Sequence, residues 1–135
     1  MTKLDEIAAT LDEIDIVYQK EESGILMVWD TAQFDELKIL IMTSPDESWL
    51  FITALFTNFT SIPEEQRYQL MHDMLTSSWK ATGVKFVITN DDYIAVTAET
   101  NDTDLTGEEL RTLITNTVDA CDVLAQICPG YGVVS

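Results

Sequence analysis

The feature that most constrains the fold is a pair of short segments that are apolar on both faces. Residues 37–43 and 49–57 are each too short to cross a bilayer, and a Pro- and Ser-containing turn at 44–48 separates them. Two strands joined by a short turn must pair antiparallel. A sheet with one solvated face would alternate apolar and polar residues, and these strands do not.

Two explanations of the doubly apolar strands are open. Residues of the second strand fall on two faces, Leu50, Ile52, Ala54 and Phe56 on one and Trp49, Phe51, Thr53 and Leu55 on the other. Three helices could cover both faces in a chain of 135 residues. Otherwise a second subunit or a bound client protein covers the second face.

The other elements follow from hydrophobic period and capping signals. Three helices are predicted, over residues 3–12 with Thr2 as N-cap, over 63–82 with a capping box at 61–64, and from 107 onward with a capping box at 106–109. Further strands are predicted at 14–19, 25–30, 84–89 and 93–99, with turns at 21–24 and 90–92. The fold class is therefore α+β, an antiparallel sheet with three helices in the order α-β-β-β(-β)-α-β-β-α. We expect one domain over residues 1–135.

The second and third predicted helices are amphipathic. The second has one broad face made of Tyr68, Leu70, Met71, Met74, Leu75, Ser78 and Trp79, and Gly83 is its predicted stop. The third has a stripe made of Leu110, Leu113, Ile114, Thr117, Val118, Cys121, Leu124 and Ala125, and we expect it to end at Pro129-Gly130.

The charge of the chain excludes several classes of partner. It has 24 acidic and seven basic residues, for a formal net charge of −17. Because phosphate binding needs clustered Lys and Arg, we expect neither nucleic acid nor an anionic membrane as partner. The acidity either attracts a basic partner or only keeps the protein soluble. The sequence begins without a basic region followed by an apolar run, so we expect a cytoplasmic protein.

The sequence offers little for catalysis or metal binding. His72 is the only histidine, and a metal site or a catalytic triad usually needs more, so we interpret it as a surface or interface residue. Cys121 and Cys128 are seven residues apart on one predicted helix, about 10 Å along its axis, which exceeds disulfide reach. We therefore expect free cysteines, no metal, no cofactor and no enzymatic activity.

The order of elements, the small size and the acidity resemble the secretion-chaperone-like fold. Within it, the chain looks like YbjN-type domains and, more distantly, like type III secretion chaperones. The most similar part is the helix over 63–82, the hairpin over 84–97, and the connector Asp104-Leu105-Thr106-Gly107-Glu108-Glu109-Leu110 before a long helix. The resemblance implies a homodimer that binds protein; in the chaperone relatives an extended client segment wraps the dimer over apolar patches. It identifies no site residues, because the family has no fixed site motif that this chain matches.

The leading hypothesis is a non-enzymatic protein-binding module, chaperone-like or regulatory, that forms a homodimer. Its candidate protein-contact residues are Trp49, Phe51, Leu55, Tyr68, Met71 and Met74. A small-ligand-binding domain with a pocket between sheet and helices is the alternative. A hydrolase is a third hypothesis, and it would need a titratable pair with perturbed pKa values in a cleft.

Overall fold

The strands form one antiparallel sheet, which confirms the predicted α+β class. The computed structural model describes residues 2–102 and 104–127. Its elements are, in chain order, α1 (Lys3–Glu13), β1 (Gln19–Glu21), β2 (Gly24–Trp29), β3 (Leu37–Thr43), β4 (Leu50–Asn58), a 3₁₀ turn (Phe59–Ser61), α2 (Glu64–Lys80), β5 (Val84–Ile88), β6 (Tyr93–Thr100) and α3 (Gly107–Ile127). The strand order across the sheet is β1-β2-β3-β4-β6-β5.

The register places alternate residues of every long strand on one face, which we call the core face. Ile25, Ile41, Ile52, Ala98 and Val84 are successive cross-strand partners on this face, from β2 to β5. The helices supply the other half of the core, through buried residues that include Ile7 and Leu11 of α1, Leu70 and Met74 of α2, and Leu110, Ile114, Cys121 and Leu124 of α3. The core therefore lies between one face of the sheet and the helices.

The opposite side of the same strands forms the open face. Leu26, Leu40, Thr53, Thr97 and Lys85 are successive cross-strand partners there. None of these five side chains belongs to the buried cluster, which takes its strand residues from the core face. Within residues 2–102 and 104–127, the helices therefore cover one face of the doubly apolar strands and leave the other uncovered.

Helix α2 packs along the edge strand β5. The backbone N–H of Phe86 donates to the Ser78 hydroxyl over 2.9 Å, so this helix occupies the side of β5 where a further strand would pair. Its predicted broad face is divided in two. Leu70 and Met74 pack into the core, whereas Tyr68 and Leu75 are 75% and 70% exposed.

The predicted strand over 14–19 is wrong. Residues up to Ile14 continue or cap α1, and Asp15 follows with a left-handed φ of 59°, which turns the chain away from the helix axis. Ile16 and Tyr18 then pack against the core from a loop, and β1 begins only at Gln19. Apolar alternation in this segment reflects a loop lying on the core, not a strand.

Two of the three predicted capping motifs are confirmed. The Thr2 hydroxyl accepts from the N–H of Asp5, and Thr106 and Glu109 form a reciprocal box at the start of α3. The predicted box at 61–64 is wrong, because Pro63 is the N-cap of α2 and makes no side-chain cap bond. Helix α2 also ends at Lys80, three residues before the predicted stop. The predicted end of α3 at Pro129-Gly130 lies outside the described residues.

Candidate protein-binding surfaces

The open face carries a patch of apolar side chains on three neighbouring strands, β2, β3 and β4. We call it the open-face patch, and it consists of Leu26, Val28, Leu40, Met42, Phe51 and Leu55. These side chains range from half-buried to exposed, and Val28 is 54% exposed. Contiguous apolar surface of this kind marks protein-binding sites more often than isolated exposed residues do.

The charged residues on the strands of the open face balance each other. Its strand residues include two acids, Glu21 and Glu99, and two bases, Lys38 and Lys85. Lys85 and Glu99 form an ion pair with a 2.9 Å distance between Nζ and Oε1. The charges of this face therefore sum to zero in a chain whose net charge is −17.

The polar residues at the centre of the open face satisfy each other. The hydroxyls of Thr53 and Thr97 lie 2.7 Å apart, a hydrogen-bond distance, on the adjacent strands β4 and β6. Because each hydroxyl already has a partner, an apolar group can cover the pair at a lower desolvation cost than it would impose on two free hydroxyls. The centre of the face therefore tolerates an apolar cover.

A second apolar surface runs along α2. We call it the α2 ridge, and it consists of Tyr68, Met71, Leu75 and Trp79. Their spacing of three or four residues puts them on one side of the helix. The rings of Tyr68 and His72 stack with centroids 6.3 Å apart, and the side chain of His72 is mostly exposed. Asp73 is the one charged residue between Arg67 and Lys80.

The structure distributes the predicted contact residues over these two surfaces. Phe51 and Leu55 lie on the open face, and Trp49 lies in the turn immediately before β4, where it is exposed. Tyr68 and Met71 lie on the ridge. Met74 is 2% exposed and belongs to the core, so it is not part of either surface.

Sequence reasoning missed most of the open-face patch. Leu40 and Met42 could have been selected, because the alternation in β3 places them opposite the core residues. Leu26 and Val28 gave a weaker signal, since the relevant face of β2 depends on its register with β3. Trp79 was assigned to the apolar face of its helix but not chosen as a contact residue.

A groove opens between the C-terminal end of α2, β5 and α3. Its volume is about 310 Å³. We call it the α2–α3 groove; its apolar residues are Ala81, Val84, Phe86, Ala120 and Val123, with Lys80 and Asp119 among its polar residues. This size lies at the lower end of small-molecule pockets. The groove lies between the sheet and two helices, which is where the alternative hypothesis expects a ligand pocket.

The described residues provide no metal cluster and no activated thiol. Within residues 2–102 and 104–127, no group of three His, Cys, Asp or Glu side chains could hold a metal ion. Cys121 is buried, and burial raises the pKa of its thiol to about 12, so it is a poor nucleophile. Cys128 lies outside the described residues. No helix in the described part of the chain is long and apolar enough to span a membrane.

No protein-family model matches the chain, and no curated protein matches it in sequence. Solved structures do match. The chaperone SycH of Yersinia pestis, solved with a fragment of YscM2, gives a TM-score of 0.59 at 17% identity and covers 91% of this chain and 99% of its own. The ExsC–ExsE complex gives a TM-score of 0.68 at 14% identity, and the match covers 96% of this chain and 98% of the chain in the complex. YbjN of E. coli gives a TM-score of 0.65 at 10% identity, and the match covers 98% of this chain and 96% of YbjN. The chain therefore has the fold shared by type III secretion chaperones and YbjN.

Proposed function

We propose that the protein is a non-enzymatic, chaperone-like binding module that pairs with a second copy of itself and holds a segment of another protein against its open face. The observation that carries this proposal is a pair of strands, β3 and β4, with apolar residues on both faces, of which the described helices cover one. Two proteins of the same fold, SycH and ExsC, were solved in complex with a second protein. Their fold, and not any shared residue, makes them relevant.

The apolar side chains of the open face are expected to provide most of the binding free energy. Burying one large aliphatic or aromatic side chain contributes roughly 1.5–3 kcal/mol, and salt does not screen this term. An exposed ion pair contributes about 0–1 kcal/mol and is screened. Since the charges of the open face sum to zero, Phe51 and its apolar neighbours dominate there.

The acidity of the chain then acts mainly on approach and solubility. A net charge of −17 attracts basic segments at long range and raises their association rate, with little effect on the contact itself. It also repels other copies of the same chain. Two copies are expected to meet where acidic residues are sparse. The α2 ridge meets this condition, because Asp73 is the one charged residue between Arg67 and Lys80.

The open face is tested by Phe51→Lys, with Thr115→Lys as a control that adds the same charge on the exposed side of α3. The probe is a labelled, permanently unfolded polypeptide, and circular dichroism verifies that both variants fold. We expect the first substitution to weaken binding about tenfold or more, and the second to leave it unchanged. Equal binding by both folded variants would show that the open face is not the contact surface.

The natural partner is sought by affinity capture from the native cell extract, with the same two variants as baits. A protein captured by the Thr115→Lys bait and lost with the Phe51→Lys bait is the expected result. Binding of the unfolded probe is also measured across salt concentrations. We expect salt to slow association with little change in dissociation. If moderate salt abolishes binding, charge dominates and the assignment of affinity to apolar contact is wrong.

A further inference from the structure

We infer that the protein segment held on the open face carries one acidic side chain, which pairs with Lys38 while neighbouring apolar side chains of the same segment cover the open-face patch. The inference rests on the proposed function and adds the chemistry of the segment that binds at that site. It follows from the polar groups of the open face and from the partners that they have within the chain.

Two polar side chains, those of Thr53 and Lys38, lie among the apolar residues of the open-face patch. Lys38 is the cross-strand partner of Val28 on β2. On its other side, Leu40 pairs with Thr53 in an antiparallel register, so the next position on this face brings Lys38 opposite Leu55. Lys38 therefore has an apolar neighbour on each adjacent strand.

The ammonium group of Lys38 has no partner in the described part of the chain. Within residues 2–102 and 104–127 it makes no ion pair and no hydrogen bond, although Glu36 precedes it by only two residues. The other lysine of this face, Lys85, is paired with Glu99 at 2.9 Å. Lys38 is therefore a cation that its own sheet leaves unpaired.

An apolar cover over the patch would affect these polar groups differently. The hydroxyls of Thr53 and Thr97 keep each other as partners when water is removed. The ammonium of Lys38 would lose its water and gain nothing in return, and burial of an unpaired charge is among the most costly changes in a protein interface. A carboxylate on the covering segment would replace the lost water with a charge-assisted hydrogen bond. The open face therefore favours an acidic side chain at this one position.

This local preference is opposite in sign to the long-range preference of the chain. The net charge of −17 attracts segments that are basic overall. Glu21 and Glu99 on the same face would repel further acids on the segment. The segment that fits best is therefore apolar, neutral or basic as a whole, with a single carboxylate at the contact. A second copy of this chain fits poorly, because it brings the same charge of −17.

The register also sets the spacing within the bound segment. Lys38 lies opposite Leu55, and Phe51 is four residues from Leu55 on the same face of β4. At roughly 3.3 Å per residue, the two positions are about 13 Å apart along the strand. In an extended segment, side chains on one side repeat every two residues, as they do in the sheet. The acidic residue and the apolar residue over Phe51 are then four positions apart.

The first experiment measures the binding of labelled extended peptides by fluorescence anisotropy. Three peptides have apolar residues two and four positions after a variable position, which is glutamate, glutamine or lysine. We expect the glutamate peptide to bind about three- to tenfold more tightly than the glutamine peptide, and the lysine peptide to bind most weakly. A fourth peptide, with the glutamate moved by one position to the other side of the segment, should bind like the glutamine peptide.

The second experiment repeats these measurements with protein variants. Lys38→Glu should reverse the order, so that the lysine peptide binds more tightly than the glutamate peptide. Lys38→Met keeps an apolar stem without the charge, and it should remove the preference for glutamate while the glutamine peptide still binds. The matched control is Lys80→Glu, which changes the charge equally at a cation on α2 that also lacks a partner among the described residues, and it should leave the order unchanged. Circular dichroism verifies that all variants fold.

The outcomes separate this inference from the proposed function. Equal binding of the glutamate and glutamine peptides, with binding lost in Phe51→Lys, would show that Lys38 keeps its ammonium in water, and it would overturn the inference alone. The same loss of preference in Lys80→Glu as in Lys38→Glu would assign the effect to net charge and also overturn it. Failure of all four peptides to bind would overturn both the inference and the proposed open-face contact. If Lys38→Glu changed the mass measured by light scattering and left peptide binding unchanged, the face would join two copies, and the inference would be wrong.

Discussion

The two faces of the sheet share the same strands, and both carry apolar residues on β3 and β4, yet the helices cover only one of them. On β3, Ile39 and Ile41 are fully buried, while their neighbours Leu40 and Met42 are only partly buried. The helices make the difference, since their buried side chains join the core-face residues in one cluster. The apolar residues of the strands indicate how much surface is to be buried. The placement of the helices determines which face of the sheet they bury.

The largest expected effect compares neighbouring residues of β3. Ile41→Ala should lower the free energy of unfolding by about 2–5 kcal/mol, because it leaves a cavity in a closed core. Leu40→Ala should lower it by only about 1 kcal/mol or less, because solvent already reaches this side chain. Urea denaturation of both variants measures the difference. Similar losses for the two would mean that the open face is covered in the free protein.

The second prediction concerns the closure of the core face. Cys121 lies in α3 against this face, and its pKa of about 12, against a usual 9.0, lowers its thiolate fraction at neutral pH by about a thousandfold. In a Cys128→Ser variant, which leaves one thiol, modification by a thiol reagent should be negligible until the protein unfolds. The control is the same reaction in denaturant. Rapid reaction of the native protein would show that α3 separates readily from the sheet.

A smaller effect is expected at the centre of the open face. Thr97→Val should lower the free energy of unfolding by about 1 kcal/mol, because it leaves the Thr53 hydroxyl without its partner. Thr53→Val should lower it by less, because the Thr97 hydroxyl keeps its contact with the Ala98 carbonyl oxygen at 3.5 Å. The double substitution should cost less than the sum of the two, since it leaves no unpaired hydroxyl and valine suits a strand. A double-mutant cycle measures this coupling. Strict additivity would mean that the hydroxyl pair does not form in solution.

The smallest effect is expected at the β3–β4 turn, away from both faces. Hydrogen bonds from Ser48 and Ser44 hold the pKa of Asp46 at about 2, below its usual 3.8. The folded pKa is depressed, so the ionised carboxylate stabilises the fold above the usual value, and this contribution is lost as the pH falls through about 2. Asp46→Asn should therefore melt slightly below the unsubstituted protein at pH 6, and the difference should shrink towards pH 2. A difference that is independent of pH would contradict this cause.

Most of the fold could be predicted from the sequence because its capping and turn motifs agree with the strand pairing in the structure. Thr2 and Thr106 carry complete capping boxes, and the turns at 44–48 and 90–92 join strands that pair with each other, β3 with β4 and β5 with β6. The segment around Ile16 misled the prediction, because a loop that packs on the core alternates like a strand. At α2, Pro63 and not Ser61 became the N-cap, because residues 59–61 form their own turn, capped by Asn58.

The binding surfaces are less predictable for a physical reason. The sequence of a helix identifies its apolar residues but does not tell which of them a neighbouring strand covers. In α2, for example, Met74 is buried and the adjacent Leu75 is exposed. The open-face patch depends on the registers of β2, β3 and β4, which no local pattern specifies. Phe51 and Leu55 could be selected because the sequence of β4, taken by itself, shows apolar residues on both faces.

The bond between Ser78 and the backbone of Phe86 has a consequence for assembly. Open sheet edges can recruit further strands and grow without limit into fibrils. Here a helix side chain occupies the β5 edge, and at the other edge β1 has three exposed residues, among them Lys20 and Glu21. Growth along the hydrogen-bonding direction is thus hindered at one edge by α2 and discouraged at the other by charge. Complexes of this protein should be finite, with a fixed stoichiometry set by side-chain contacts.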